Sequence, residues 1–366
     1  MSCNKLSRAR LRTPVAAVLA ASLTAAAAAR AARADGEKKL KVVTTLHVLA
    51  AIASDVGGDR VDVKALARSI EDPHEVTATP KRYKELSTAD AFVESGFQLE
   101  IWDENVISGA NNSKIQKAAD GFCKAGAGET MLEVPAVLSR QGGDLHPDGN
   151  PHIWYEPFVG HIYAKNIEAC LARIAPEDAQ TWEKNRKAFD KKLDEAVFGA
   201  ELVKLLGGPT LEKLARSGKL AGFLAEHKVP KGYAGAGEPL ATILGGLWKK
   251  AEPLRGAKLI AYHKSWAYFA QTWGCEVIEA MEPKPGIPPT AGHLEDVERL
   301  SKQQSAKVIL CMSYEPRSQC DEFASKIGGV VAAMPSDVGA EDTKDFIDFQ
   351  SMLVDRAVEA LEKSKK

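Results

Sequence analysis

Short β-rich runs alternate with helical patterns at both ends of this 366-residue chain. The run KLKVVTT at Lys39–Thr45 is followed by a helical pattern at Val48–Val56. Val61–Leu66 reads as the next strand, Tyr83–Thr88 as a short helix, and Ala91–Glu94 as a buried strand. The alternation resumes late in the chain. Lys258–Tyr262, Glu276–Ala280, Val308–Met312 and Gly329–Ala333 read as strands. Trp266–Thr272, His293–Gln303, Cys320–Ile327 and Thr343–Lys363 read as the helices between and after them. Such βα alternation implies an α/β fold with parallel sheets covered by helices.

The middle of the chain reads differently. Residues 120–150 are rich in Gly and scattered polar residues, and are expected to be loop. Pro176-Glu177-Asp178 opens a long charged helix running to about Leu206, since Pro and acids favour a first turn. Its apolar stripe is Trp182, Phe189, Leu193 and Val197, one buried face on a solvated helix. A Gly-rich stretch, Gly207–Gly246, has the look of an insertion. The expected order is a targeting segment (1–34), a βα lobe (35–175), a connecting helix (176–206), an insertion (207–250) and a second βα lobe (251–366).

Hydrophobic residues make up 45% of the chain and charged residues 27%, which excludes disordered, collagenous and coiled-coil classes. The 48 Lys and Arg against 49 Asp and Glu leave no basic face for nucleic acid. The total hides an asymmetry. Lys5, Arg8, Arg10 and Arg12 precede an uncharged, alanine-rich run at residues 13–29, and Ala32-Arg33-Ala34 offers a small-x-small cleavage site. This is the layout of a secretory signal peptide cleaved after Ala34. Setting residues 1–34 aside removes six basic residues and no acid. That leaves 42 basic against 49 acidic groups, a net charge of −7 that suits cations. The expected destination is the periplasm.

Five cysteines follow that segment: Cys123, Cys170, Cys275, Cys311 and Cys320. None stands at CxxC spacing, so a thiolate metal site has little support. An oxidising compartment allows disulfides. Cys275 and Cys311, each in an expected strand of the second lobe, form the expected pair.

Three of the eight histidines stand at turns beside regular structure. His74 lies in Glu71-Asp72-Pro73-His74, His152 in Asn150-Pro151-His152-Ile153-Trp154, and His263 at the end of the strand Ile260-Ala261-Tyr262. In open α/β sheets, ligands bind at the carboxyl ends of the strands. Three imidazoles and one oxygen describe a tetrahedral zinc site, although imidazole also suits Cu, Fe and Ni. Taken singly, each histidine is as readily a surface or core residue.

The strings EDPHEVTATPKRYKELSTADAFVESG, HPDGNPHIWYEP and AYHKSWAYFAQTWGCEVIEAMEPKPGIPPTAGHLEDVERL resemble the solute-binding proteins of zinc- and manganese-type metal ABC transporters. The resemblance runs in order through nearly all of the chain after residue 34. It implies two βα lobes joined by one long rigid helix, with the metal in the cleft between them. It places three histidine ligands on His74, His152 and His263. The fourth position falls on Asp337 in Met334-Pro335-Ser336-Asp337-Val338-Gly339, with Glu315 or a water as the alternatives. His47 and Trp154 are candidates for a shell around the ligands. The long histidine-rich loop of many zinc-type members is reduced here to Gly142-Gly143-Asp144-Leu145-His146.

The resemblance implies a monomeric periplasmic protein that captures Zn2+, or less readily Mn2+, and delivers it as cargo to a membrane permease for import. A same-fold adhesin or metal chaperone is the alternative. A secreted zinc hydrolase would need a general base near the metal. Glu75 is the only acid adjacent to a ligand, and in an extended segment it points away.

Overall fold

A computed structural model of the chain describes residues 38–135, 146–284 and 286–366. The expected signal peptide and the segment Gly142–Leu145 lie outside the described residues. The first sheet and its helices comprise Leu40–Thr44 (β1), His47–Gly57 (α1), Val61–Ala65 (β2), Pro80–Ser87 (α2), Ala91–Glu94 (β3), Asp103–Gly109 (α3) and Phe122–Lys124 (β4). The middle of the chain is helical: Val159–Ile174 (α4), Ala179–Phe198 (α5), Ala200–Leu206 (α6), Gly208–Arg216 (α7), Leu220–Glu226 (α8) and Gly246–Lys250 (α9). Lys258–Ala261 (β5), Ala267–Trp273 (α10), Glu276–Ala280 (β6), Ala291–Gln304 (α11), Val308–Met312 (β7), Arg317–Ile327 (α12), Val330–Met334 (β8) and Phe346–Lys363 (α13) complete the chain.

Both sheets are wholly parallel, in the orders β2-β1-β3-β4 and β6-β5-β7-β8. In each, the strand order reverses direction beside the first strand, which opens a crevice at the carboxyl ends. A parallel sheet is covered on both faces, and β7 is buried throughout. Its alternate residues serve two cores. Val308, Leu310 and Met312 join the main apolar cluster, which also holds Val42, Phe92 and Trp154 of the first half. Ile309 and Cys311 face a second cluster with Phe323 and Ile327 of α12. This is the period of two that a strand imposes.

Several expectations are corrected. Residues 120–150 are not all loop, because Phe122–Lys124 forms the edge strand β4, paired with β3. Helix α4, not anticipated, packs on α5. The helix expected to reach Leu206 stops at Phe198. Gly199 there takes φ +87°, and a Cβ on it would lie 3.0 Å from Gly245, so only glycine fits this crossing. The Gly-rich insertion contains the helices α7 and α8.

The disulfides also differ. Cys123 pairs with Cys170 and Cys311 with Cys320, while Cys275 is free. Cys275 packs against the main cluster and Cys311 lies in the second one. Opposite faces of one sheet cannot be bridged.

An ion cluster fastens α4, α5 and α7 together. His161 on α4 lies 3.1 Å from both Asp190 and Asp194 on α5, and 3.9 Å from Glu212 on α7. Arg186 bridges Asp190 to Glu168. Burial alone pulls His161 down, but the Asp190 and Asp194 hydrogen bonds and the Asp194 and Glu212 charges raise it to about 10. The folded pKa is thus above the unfolded value near 6.5. Its stabilisation is complete below about pH 6.5 and is lost as pH climbs through 10. Denaturant unfolding of the wild type and His161→Gln should therefore show a gap that is wide at pH 6 and shrinks above pH 10. A gap independent of pH would contradict the charged cluster.

Candidate metal centre

His74 and His152 are each held by an Asp or Asn two residues ahead, and His263 by the end of a strand. His74 follows β2 in a tight turn, with its N–H on Asp72 Oδ1 at 2.9 Å. Trp102 Nε1 donates to the Pro73 carbonyl at 2.9 Å, clamping the same turn. His152 donates its N–H to Asn150 Oδ1 at 3.1 Å. Asn150 is itself tied across the cleft, donating to the Lys264 carbonyl at 2.9 Å, while Tyr268 donates to the Asn150 carbonyl at 2.8 Å. His263 lies just beyond the end of β5.

These devices bring the rings together. One nitrogen from each of His74, His152 and His263 lies within 4.8 Å of the others, the one such group of three or more His, Cys, Asp or Glu among the described residues. His74 Nε2 and His152 Nε2 are 3.0 Å apart. Tetrahedral zinc with bonds of about 2.0–2.1 Å holds its nitrogens about 3.3 Å apart, so the triad needs little movement to close on an ion.

The opposite ring nitrogens are also engaged. His263 Nδ1 lies 2.6 Å from Glu282 Oε2, and His152 Nδ1 lies 2.8 Å from Asn150 Oδ1. The His74 ring hydrogen-bonds the backbone of Leu99. Partners of this kind fix the tautomer and turn each ring's remaining lone pair inward. Burial first, then the neighbouring rings of His263 and His146, lowers His74 to about 3. His152 is held well below its ordinary value by burial and then by His74 and His263.

A cavity of about 230 Å³ opens from the triad, lined by His74, His146 and His263 and by the carboxylates of Asp72, Glu282 and Glu315. Its acid-rich wall favours cations. His146, which the sequence offered only as the remnant of a loop, stacks on His74 with ring centroids 5.1 Å apart. Glu75 stands at the rim of this cavity rather than turned away, because Asp72–Glu75 is a turn closed by the Glu75 N–H on the Asp72 carbonyl at 3.1 Å.

Asp337 is not in the histidine group. Its carboxylate accepts the N–H groups of His47 and Val48 at 2.7 Å each and of Val338 at 2.8 Å. Helix α1 has no side-chain cap of its own. Asp337 supplies that cap from 290 residues away, satisfying two orphan donors of the first turn. Burial raises Asp337 to about 7 against the pull of those three N–H groups.

Glu315 lines the cavity but also stands outside the group. Its Oε2 accepts the Met312 N–H at 2.6 Å, and its buried Oε1 has no hydrogen-bond partner. Burial, more than the nearby Glu282 and Asp72, holds its carboxyl well above the usual range.

His47 lines a separate groove with Ala67 and Arg82, away from the triad's cavity. Trp154 sits where the sequence suggested, its ring 5.3 Å from that of His152 and its Nε1 on the Ser336 carbonyl at 3.1 Å. The loop carrying Asp337 is thereby tied to the turn carrying His152.

Comparison with known proteins gives a consistent neighbourhood. The ZnuA family, described as the periplasmic component A of the zinc-uptake complex, matches residues 42–198 and 246–361. A manganese ABC transporter substrate-binding lipoprotein, PsaA of Streptococcus anginosus, is 31% identical over 161 residues, 43% of this chain and 49% of that protein. The iron-binding protein YfeA of Yersinia pestis is 29% identical over 190 residues, 50% of this chain and 51% of that protein. The chain thus spans about half the length of the curated relatives it matches. A crystal structure of ZnuA superposes with a TM-score of 0.61 at 21% identity, covering 90% of this chain and 99% of that one. A periplasmic metal binding protein from candidatus liberibacter asiaticus gives 0.62 at 14% identity, covering 88% and 100%. At those identities the superpositions speak for the fold.

Proposed function

Because this chain belongs to the ZnuA family of periplasmic zinc-uptake components, we propose that it captures a divalent transition metal, Zn2+ before Mn2+, outside the cytoplasm and delivers it to an ABC permease for import. The observation that carries this reading is the convergence of His74, His152 and His263 on one point. Three neutral imidazoles suit zinc, whereas manganese prefers sites rich in carboxylate oxygen. A solvent oxygen in the cavity supplies the fourth donor, with the Asp337 carboxylate committed to α1. Relatives named for manganese and for iron match this chain in sequence, so selectivity is read from the donor set rather than from the family.

Capture and release follow from the arrangement. With His152 Nδ1 donating to Asn150 Oδ1 and the His74 ring held by the Leu99 backbone, the two Nε2 atoms, 3.0 Å apart, both present lone pairs. A metal ion entering the triad takes both lone pairs. Equilibrium dialysis of the purified chain against zinc tests the reading. It should retain one equivalent per chain, lost in His263→Ala; retention by that variant would refute the site.

The pH profile follows from the lowered pKa values. Three ordinary imidazoles would lose about tenfold each between pH 7.5 and 5.5, about a thousandfold together. Burial lowers His74 to about 3, which leaves it neutral at both pH values, and holds His152 well below its ordinary value. Zinc affinity should therefore fall by far less than a thousandfold over that interval. A full thousandfold fall would show that the rings are not held neutral. The same depression acts on the metal-free fold with the opposite sign to His161. These two rings bind protons only when unfolded, so stability is lost as pH falls below about 6.5.

A further inference from the structure

Residues 199–245 lie between the two stretches that match the family, yet one side chain of this segment reaches the turn that carries His152. Arg216 closes α7. Its Nη2 lies 3.0 Å from Glu156 Oε1, and its guanidinium takes both oxygens of Glu129, at 3.4 and 3.2 Å. Its Nε donates to Glu212 at 2.8 Å, and its plane lies 5.3 Å over the Phe158 ring. The two carboxylates are nearly sealed, with side chains 4% and 3% exposed for Glu129 and Glu156. Buried carboxylates of this kind persist only with a counter-charge.

Glu156 stands four residues after His152, directly beyond the 3-10 turn Ile153–Tyr155. Its Oε2 accepts the Phe158 N–H at 3.2 Å and the Thr272 hydroxyl at 3.4 Å. Thr272 belongs to α10, the helix that follows His263. Between these points Tyr155 stacks on Trp266 with centroids 4.7 Å apart. One carboxylate therefore links the insertion, the turn bearing His152 and the helix after His263.

We propose that Arg216 is a positioning residue for the metal centre, through which the 199–245 insertion braces the His152 turn against the His263 helix. This rests on His152 being a metal ligand. With the guanidinium gone, Glu156 and Glu129 face one another buried and unpaired. Glu156 then takes up a proton or swings toward solvent, and its links to Phe158 and Thr272 loosen. The spacing of His152 from the other two rings follows. Outer partners of metal ligands act on affinity by about 10–100-fold when removed.

Zinc affinity by chelator competition, zinc release rate and melting temperature are measured on the full chain for Arg216→Met, Arg216→Lys and a control in the same insertion, Leu224→Ala. Leu224 is a buried residue of α8 with no part in the ion cluster. Arg216→Met should bind zinc about 10–100-fold more weakly and release it faster, with Arg216→Lys recovering much of the loss. Leu224→Ala should lower the melting temperature and leave affinity unmoved. Affinity within twofold of wild type in a destabilised Arg216→Met would overturn the proposal. So would equal losses of affinity in Arg216→Met and Leu224→Ala. If Arg216→Met does not fold, Glu156→Gln carries the test: weakened binding is expected, and wild-type binding overturns it. A wild-type chain that binds no zinc would refute the metal reading itself, a result distinct from any of these.

Discussion

Replacing His152 by alanine lowers zinc affinity by two to three orders of magnitude. Structural zinc sites bind with about 10–16 kcal/mol shared among four donors. One imidazole therefore accounts for about 3–4 kcal/mol, or roughly 10²–10³ in Kd. The position of this ring makes replacement from solvent ineffective. His152 is 2% exposed, its Nδ1 is engaged by Asn150, and the Trp154 ring packs against it at a tilt, centroids 5.3 Å apart. The ring is also the partner that faces His74 Nε2, so the variant loses one donor and the orientation of a second. Chelator competition on the variant and the wild type gives the ratio, and far-ultraviolet circular dichroism confirms that the fold is kept. A folded His152→Ala with affinity within threefold of wild type would remove this residue from the site.

Replacing Asp337 by alanine costs stability instead. Three backbone N–H groups lose their acceptor, two of them in the otherwise uncapped first turn of α1. An unsatisfied buried donor costs about 1–3 kcal/mol and a lost helix cap typically about 1. Relief of the carboxylate's own burial, visible in its raised pKa, offsets part of that. The expected loss is about 2–4 kcal/mol in denaturant unfolding, with zinc affinity kept within about fivefold. The opposite pattern, a hundredfold weaker zinc binding at unchanged stability, would make Asp337 the fourth ligand that the family resemblance implies.

These two residues show how far the sequence could be read. The strands of both sheets were legible as short apolar runs, except β4. Three residues, Phe122–Lys124, give no period to recognise, and their strand character comes from pairing with β3. Helix α4 carries apolar positions at helical spacing, Val159, Tyr163, Ile167, Cys170 and Leu171, but no side chain caps its start. Without a start signal, nothing in the sequence separates it from the histidine turn before it. The end of α5 depended on the approach of Gly199 to Gly245, a contact across 46 residues that no local pattern announces.

The site divides in the same way. The turns holding His74 and His152 are written locally, in Asp72 and Asn150 two residues ahead of each ring. That the three rings share one point is a property of the crevice and is not encoded in their spacing. Glu282, the orienting partner of His263, lies 19 residues further on. It becomes visible only once β5 and β6 are paired. Asp337 shows the converse. Its place in the sequence suggested a ligand, while the fold gives both of its oxygens to backbone donors. Cysteine pairing is hidden for a related reason: which core a thiol faces is set by strand register, and Cys275 and Cys311 share a lobe but face different clusters.

The most direct test is a parallel chelator-competition titration of the purified wild-type chain with Zn2+ and Mn2+ at pH 7.5. Three convergent imidazoles predict one equivalent of zinc bound with Kd below about 1 µM, and manganese weaker by about 100-fold or more. Equal or tighter binding of manganese, or no stoichiometric binding of zinc, would contradict a zinc-capturing centre built on His74, His152 and His263.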